Sequence, residues 1–396
     1  MKSFLISVLL LSALSVKLSA SLCPAWAEIE APKLTSAVQK AVYEAQQAIE
    51  KKEFLEAEEC LKKYIRKYPQ KPHYLAEFTL GNVLAISRKE NEALSHYKAS
   101  SDLYPDYIPT WQNMGKIFFD LKQYEQAGDC LLRAYEIDKK KDPSALYNAA
   151  IAYIMSGKGK KAMPHLEHLS SGEMGPPKTE WLEALLKVCI DLQLKKKAFE
   201  VIHRLLDKNG NDPRWWKLLA QLYLQQNDYK KAATALTITS YVATTNREDT
   251  MLLGDLTNAI GIPLKAAEYY EKALSKSNRP ADYEKLVSAY LAAHKPENAI
   301  DALNRALNKK PTSKLWFMMG QVLYEEEKFD NACNAFDKSA RLNPKDGRPY
   351  LMIGYCALQM DNNGMAEKAL SKAARFPKQR KMARKLLKKV AMLPEK

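Results

Sequence analysis

An alanine recurs every 33 to 36 residues along this chain, and ten positions belong to the series. They are Ala57, Ala93, Ala127, Ala162, Ala198, Ala232, Ala266, Ala299, Ala332 and Ala366. Four residues after each lies a large side chain: Leu61, Tyr97, Leu131, Leu166, Ile202, Leu236, Tyr270, Leu303, Phe336 and Leu370. Twelve residues before most of them lies a small one: Ala45, Gly81, Gly115, Ala150, Ala220, Gly254, Gly320 and Gly354, with Leu186 and Val287 in the other two periods. This regularity predicts a stack of similar supersecondary units.

Each period contains two predicted amphipathic helices, because its apolar residues recur at three- and four-residue steps. In one period these are the stretches Trp316 to Tyr324 and Ala332 to Leu342. Small residues allow two helices to cross closely, and we expect the large residue after each alanine to fill the space toward the next unit. Proline, which cannot donate the helix hydrogen bond, ends the second helix at Pro69, Pro105, Pro311 and Pro344. The sequence therefore predicts an all-α fold.

Several periods carry a more specific pattern. Its first half is Trp111-Met114-Gly115-Phe118, Trp216-Leu219-Ala220-Tyr223 and Trp316-Met319-Gly320-Leu323, and its second half is Ala332-Phe336 and Ala366-Leu370-Ala373. The pattern resembles the tetratricopeptide repeat over nearly the whole chain, from about Ala37 to Arg380. That resemblance implies a right-handed α-solenoid of about ten helical hairpins with a C-terminal capping helix. It also implies a groove, lined by the first helix of each hairpin, that binds a protein segment.

The expected organisation has five parts. They are a signal peptide at 1–27, an N-terminal lead at 28–36, repeats 1–4 at 37–177, repeats 5–10 at 178–377, and a basic capping helix and tail at 378–396. The two groups of repeats are separated at the loop-like stretch 170–178. In the last part Met382, Leu386, Leu387 and Val390 share one predicted helix face, which we expect to cover the end of the stack.

The N-terminus has the pattern of an export signal. An apolar run from Phe4 to Val16 follows Lys2 and is too short to span a bilayer, and Ala25-Trp26-Ala27 offers small residues at a peptidase site. We expect cleavage after Ala27 and a location in a bacterial periplasm. Two alternatives are an uncleaved N-terminal anchor and lipidation at Cys23, where a lipobox would need a residue smaller than Leu22.

The chain is basic, with a net charge of +15 that becomes +13 when Lys2 and Lys17 are removed with the signal. Nucleic-acid binding fits the charge but not the export signal. The segment from Arg375 to Lys396 holds nine basic residues, which are either a solvated helix face or a contact for anionic envelope components. Cys333 and Cys356 occupy positions that can face each other, either as a disulfide or as buried free thiols.

No catalytic arrangement, metal site or cofactor motif is evident, so we expect a non-enzymatic protein. The stretch Gly157-Lys158-Gly159-Lys160 lacks the preceding strand of a phosphate loop. His165 and His168 are one helical turn apart, but no further ligand set accompanies them. No sequence feature specifies an oligomeric state, and membrane contact is expected to be peripheral at most.

The expected groove residues are exposed positions of the first helices. They are Phe78, Asn82, Gln112, Asn113, Lys116, Tyr147, Asn148, Lys187, Lys217 and Gln221. Among them Asn82, Asn113 and Asn148 form a run whose amide groups can both donate to and accept from a peptide backbone. The predicted function is a periplasmic scaffold that binds a partner segment in this groove.

Two short stretches narrow the resemblance further. Tyr43-Glu44-Ala45-Gln46 and Asp212-Pro213-Arg214-Trp215-Trp216-Lys217-Leu218-Leu219 are similar to periplasmic tetratricopeptide proteins that accompany TonB/ExbB/ExbD energy-transduction systems. This similarity implies an accessory role in such a complex. The alternatives are an assembly factor for outer-membrane, secretion or peptidoglycan machinery, and a regulatory subunit of an envelope enzyme.

Overall fold

The computed structural model describes residues 32–274 and 279–392, and these residues form 21 α-helices without a strand. In the first compact unit, which ends at Leu192, the helices are α1 (Ser36–Glu50), α2 (Phe54–Lys67), α3 (Tyr74–Ile86), α4 (Glu90–Leu103), α5 (Ile108–Asp120), α6 (Tyr124–Ile137), α7 (Pro143–Met155), α8 (Gly159–Ser171) and α9 (Thr179–Asp191). The prediction of an all-α chain is confirmed. The predicted signal peptide, anchor and lipidation site lie outside the described residues.

The second compact unit begins at Gln193. Its helices are α10 (Lys195–Lys208), α11 (Pro213–Leu224), α12 (Tyr229–Val242), α13 (Arg247–Ala259), α14 (Pro263–Leu274), α15 (Pro280–Ala292), α16 (Pro296–Lys309), α17 (Ser313–Glu325), α18 (Phe329–Leu342), α19 (Arg348–Gln359), α20 (Asn363–Ala373) and α21 (Pro377–Val390). Twenty helices in ten successive pairs, followed by one further helix, confirm the predicted hairpins and capping helix. The units divide after α9, whereas the sequence suggested a division after residue 177.

The small residues of the repeat lie where the two helices of a hairpin cross. A methyl group added at Gly254 would come within 2.3 Å of the Tyr270 ring, and one at Gly81 within 2.7 Å of the Tyr97 ring. In these two hairpins, and likewise at Gly115, Gly320 and Gly354, the large residue therefore packs on the small residue of its own hairpin. The sequence-based expectation placed that side chain toward the next unit, and it missed this contact because small and large positions are sixteen residues apart on antiparallel helices.

The turn inside every hairpin contains a residue with a left-handed backbone. These residues are Lys52, Arg88, Lys122, Gly157, Gln193, Asn227, Gly261, His294, Glu327 and Asp361, with φ between 54° and 80°. Each precedes a repeat alanine by five residues. In nine of these turns, all but the one at Gln193, the next residue donates its N–H to a carbonyl of the preceding helix, as Lys328 does to Leu323 at 2.8 Å. This is the hydrogen bond of a Schellman motif, which satisfies a free carbonyl at the helix end.

Helix starts and ends follow local chemistry. Asp212 and Asn246 accept backbone N–H groups at the starts of α11 and α13. Pro143, Pro280 and Pro296 occupy first-turn positions, where a missing N–H costs nothing. The second helices α2, α4, α16 and α18 each end two residues before a proline, as predicted.

The last helix, α21, covers the end of the second unit. Its Ala383, Leu386 and Val390 are buried against Ala366, Leu370 and Ala373 of α20. Met382 was expected on this face, but its side chain is 45 % exposed. At about 100° per residue, Met382 lies at the edge of this face, about 40° from Leu386 but about 100° from Ala383. Among the described residues no helix is long and apolar enough to cross a membrane.

Candidate functional site

All ten predicted groove residues lie on first helices of hairpins. In the first unit Phe78 and Asn82 belong to α3, Gln112, Asn113 and Lys116 to α5, Tyr147 and Asn148 to α7, and Lys187 to α9. In the second unit Lys217 and Gln221 belong to α11. The candidate surface is therefore described separately in each unit.

Phe78 does not line an open surface. Its side chain is only 8 % exposed, and its ring lies edge-on to Tyr107 with ring centroids 5.0 Å apart. The prediction of an exposed Phe78 was wrong because α3 is buried along its entire first half, from Tyr74 to Gly81. The Phe78 ring also packs on the Tyr97 ring, with ring centroids 5.8 Å apart.

Asn82 and Asn113 are bonded to each other. The amide nitrogen of Asn113 donates to the side-chain oxygen of Asn82 at 2.8 Å, and the hydroxyl of Tyr97 donates to the same oxygen at 2.7 Å. Tyr97 is buried, and this burial raises the pKa of its hydroxyl. Two members of the predicted asparagine run thus join neighbouring hairpins, and the oxygen of Asn82 already has two donors.

The second unit repeats this arrangement with charged residues. The hydroxyl of Tyr270 donates to the carboxylate of Asp255 at 2.8 Å, and the amino group of Lys285 donates to that carboxylate at 2.6 Å. Asp255 immediately follows the small residue Gly254, as Asn82 follows Gly81. The same bridge therefore forms in both units. It consists of an acceptor directly after the small residue, a tyrosine of the same hairpin and a donor from the next hairpin.

Further bridges join first helices in the second unit. The amino group of Lys217 lies 2.6 Å from a carboxylate oxygen of Asp249, and Lys314 pairs with Glu284. Lys217 was predicted to contact a partner, but here it holds α11 to α13. Gln221 is exposed. In the first unit Lys187 pairs with Asp191 one turn along α9, at 2.8 Å.

The remaining predicted residues form a more open surface, which we call the α5–α7 face: Gln112, Lys116, Tyr147 and Asn148. Gln112 is exposed, while Lys116 and Asn148 are half-buried and have no side-chain hydrogen bond or ion pair within the described residues. Within their own hairpins, Lys116 and Asn148 occupy the positions that correspond to Asn82 and Asn113, which are bonded to each other. Tyr147 donates weakly to the carbonyl of Glu180 at 3.5 Å, and burial raises its pKa to about 12.

Cys333 and Cys356 are both buried and are free thiols. They share an apolar cluster with Phe336 and Ile353. The Cys333 thiol donates to the carbonyl of Ile353 at 3.9 Å, and the neighbouring Cys333 side chain together with burial raises the pKa of Cys356. The structure therefore has the expected facing pair in its reduced form.

The stretch from Asp212 to Leu219 builds the start of α11. Asp212 accepts the backbone N–H of Arg214 at 2.9 Å, the Trp215 side chain is buried, and Trp216 donates to the carbonyl of Gly210 at 2.7 Å. A similar contact precedes α19, where Asp346, two residues before the first residue of the helix, accepts the N–H of Arg348 at 3.0 Å. These residues therefore have a structural role in the hairpin.

Three segments match family models of the tetratricopeptide repeat: residues 108–141, 197–237 and 313–346. The first and last of these span the hairpins α5–α6 and α17–α18. The ten hairpins described above share their spacing. The chain therefore contains tetratricopeptide repeats, and such repeats indicate a scaffold for protein–protein interaction.

The similar proteins are distant. The chain is 29 % identical over 153 residues to the tetratricopeptide repeat-containing protein trd-1 of Caenorhabditis elegans, covering 38 % of this chain and 20 % of that one. It is 23 % identical over 364 residues to the BBSome complex member BBS4 of Bos taurus, covering 90 % and 69 %. It is 23 % identical over 172 residues to the protein O-mannosyl-transferase TMTC1 of Homo sapiens, covering 39 % and 20 %. The chain thus spans about a fifth of the nematode and human proteins.

Solved structures of repeat proteins also align with this chain. The structure of YrrB, described as a tetratricopeptide repeat protein with an unusual peptide-binding site, is 18 % identical with a TM-score of 0.39. The alignment covers 47 % of this chain and 97 % of YrrB.

Proposed function

We propose that this protein is a periplasmic scaffold that docks an extended segment of an envelope protein on its α5–α7 face. The observation that carries this proposal is the open bridge position between α5 and α7. Lys116 and Asn148 stand where other hairpins bond to each other, yet their polar groups have no partner within the described residues. A peptide backbone supplies carbonyl oxygens, to which Lys116 and Asn148 can both donate, and N–H groups, which the Asn148 side-chain oxygen can accept.

The partner that we propose first is a component of a TonB-type energy-transduction complex. Support comes from the export pattern at the N-terminus and from the two short stretches at Tyr43–Gln46 and Asp212–Leu219.

A crosslinking experiment tests the face and the partner together. A photo-crosslinking residue replaces Gln112 in the full-length protein in its native host, and the control variant carries it at Gln126, an exposed position on α6 of the same hairpin. We expect an envelope protein to crosslink at position 112 and not at 126. Capture of TonB, ExbB or ExbD supports the finer proposal, whereas capture of cell-wall synthases alone contradicts it and leaves the docking face standing.

A substitution experiment tests the face itself. The triple variant Gln112→Ala, Lys116→Ala, Asn148→Ala should capture less of the crosslinked partner at unchanged helicity and melting temperature. The control variant Gln126→Ala, Lys160→Ala, Asn91→Ala removes the same three residue types from exposed positions elsewhere in the first unit. Equal capture by the two variants contradicts docking on the α5–α7 face.

A further inference from the structure

The solvent-exposed side of α21, which we call its outer face, carries a high concentration of positive charge. Its basic residues are Lys378, Arg380, Lys381, Arg384, Lys385, Lys388 and Lys389, and the helix contains no acidic residue. All seven are exposed. At about 100° per residue they spread over an arc of about 180°, opposite the buried Ala383, Leu386 and Val390. The chain has a net charge of +15, so this single helix supplies nearly half of the excess.

These charges are not neutralised within the described part of the chain, where none of the seven residues forms an ion pair. Arg380 donates only to the backbone carbonyl of Ala374, at 3.3 Å. The neighbouring helices α19 and α20 contain a single acidic residue, Glu367. The basic residues form seven like-charge pairs at three- and four-residue spacing, and each such pair destabilises a helix in isolation.

The shape of this surface selects among anionic partners. The apolar side of α21 is used against α20, so the basic side is a convex ridge about 21 Å long and is not a groove. Five of the seven residues are lysines, which act as mobile point charges, whereas recognition of individual carboxylates favours arginine. The one large apolar side chain on the ridge is Met382, at 45 % exposure. A convex ridge with few apolar or arginine side chains offers little to fix one acidic peptide in place. It is better suited to a broad, flat array of negative charge.

We propose that the outer face of α21 binds an anionic lipid surface through long-range electrostatic attraction. The lysine and arginine side chains lie over lipid phosphate and carboxylate groups, and Met382 reaches the headgroup boundary. Because the apolar side of α21 is committed to the protein core, the helix adsorbs without inserting. Binding is consequently reversible and is weakened by salt, which screens exposed charges.

Co-sedimentation of the full-length protein with vesicles tests this proposal. Vesicles of phosphatidylcholine with phosphatidylserine are compared with phosphatidylcholine alone, at low and at raised salt. The variant Lys381→Gln, Lys385→Gln, Lys388→Gln, Lys389→Gln should lose at least about 100-fold in affinity, since each basic residue near an anionic surface contributes about a fivefold gain. The control variant Lys51→Gln, Lys52→Gln, Lys139→Gln, Lys140→Gln removes the same charge from exposed positions elsewhere and should stay within about twofold of the unmodified protein.

A lysine-to-arginine variant, a folding check and an acidic polypeptide complete the experiment. Substitution of the same four α21 lysines by arginine should preserve binding, and circular dichroism checks that every variant is folded. Equal loss in the two glutamine variants would show that only net charge matters and would overturn the proposal. Binding of polyglutamate through α21 without binding of phosphatidylserine vesicles would overturn it in favour of an acidic polypeptide.

Discussion

Six of the ten hairpin turns place an ordinary side chain in the left-handed backbone region that glycine favours. Only Gly157 and Gly261 use glycine there, while Asn227 and Asp361 are side chains that tolerate it. The remaining turns, at Lys52, Arg88, Lys122, Gln193, His294 and Glu327, carry a local conformational cost. These positions are therefore places where single substitutions can raise stability.

Glu327 is the clearest case, with φ at 57° and an exposed side chain. Glu327→Gly should stabilise the protein by about 0.5–1 kcal/mol, since relief of the left-handed penalty exceeds the added entropy of the unfolded chain. Its neighbour Glu326 has φ at −86°, so Glu326→Gly should destabilise instead. Thermal or denaturant unfolding measures both, and a loss of stability in Glu327→Gly would contradict this account.

Gly254 tests the close crossing of α13 and α14. Gly254→Ala should destabilise the protein by about 1–3 kcal/mol, because the new methyl meets the buried Tyr270 ring and the gain in helix propensity is smaller. At Gly364 a methyl meets nothing within 4 Å, so Gly364→Ala should be neutral or stabilising by up to about 1 kcal/mol. Denaturant unfolding should show a loss of stability for Gly254→Ala and no loss for Gly364→Ala.

Asn82 tests whether the bridge is structural. Asn82→Ala should cost about 1–3 kcal/mol of unfolding free energy, because the buried Tyr97 hydroxyl and the Asn113 amide both lose their acceptor. Asn148 has no such bond, and Asn148→Ala should change stability by less than about 0.5 kcal/mol. Equal values for the two variants would contradict the assignment of Asn82 to the packing between hairpins.

At the scale of single helices, the start of α3 depends on a neutral histidine. The His73 ring accepts the N–H of Leu75 at 3.2 Å, and its other nitrogen lies 3.4 Å from the carbonyl of Pro32. Burial lowers the pKa of His73 below its ordinary value. Protonation would place a positive charge at the positive end of the helix dipole and remove the cap acceptor.

The pH dependence follows from this shift. Because the folded-state pKa is below the unfolded value of about 6.5, the contribution of His73 is fully present above pH 6.5 and is lost as the pH falls toward the folded pKa. His73→Asn keeps a cap acceptor and removes the titration, so its melting temperature should fall less between pH 7 and pH 5. Parallel pH profiles for the two proteins would contradict the role given to His73.

At the scale of the whole molecule, each helix within a unit packs mainly on the helices before and after it in the chain. Stability is then close to a sum of neighbouring interfaces. The Gly254→Ala substitution should accelerate amide hydrogen exchange in α12–α15, while exchange in the first unit stays unchanged. Peptide-resolved exchange measured by mass spectrometry checks this, and uniform acceleration in both units would contradict it.

The fold was predictable because helix crossings require small residues, and those recur visibly in the sequence. The candidate site was less so. Asn82 and Asn113 are recognisable in the sequence as polar residues of neighbouring first helices. Whether they bond to each other depends on which turn of α3 lies beside α5. The left-handed turns escaped prediction because charged side chains occupy five of them and glycine only two. The buried Phe78 also required knowledge of its neighbours from α4 and the turn before α5.

Packing restricted to sequence neighbours has an evolutionary consequence. Duplication or loss of one complete hairpin creates a junction of the same kind as those already present, so the molecule can change length without redesign of a common interior. Any ligand-contacting surface built from a few adjacent hairpins would move with them as a cassette. Growth by internal duplication therefore requires little further mutation.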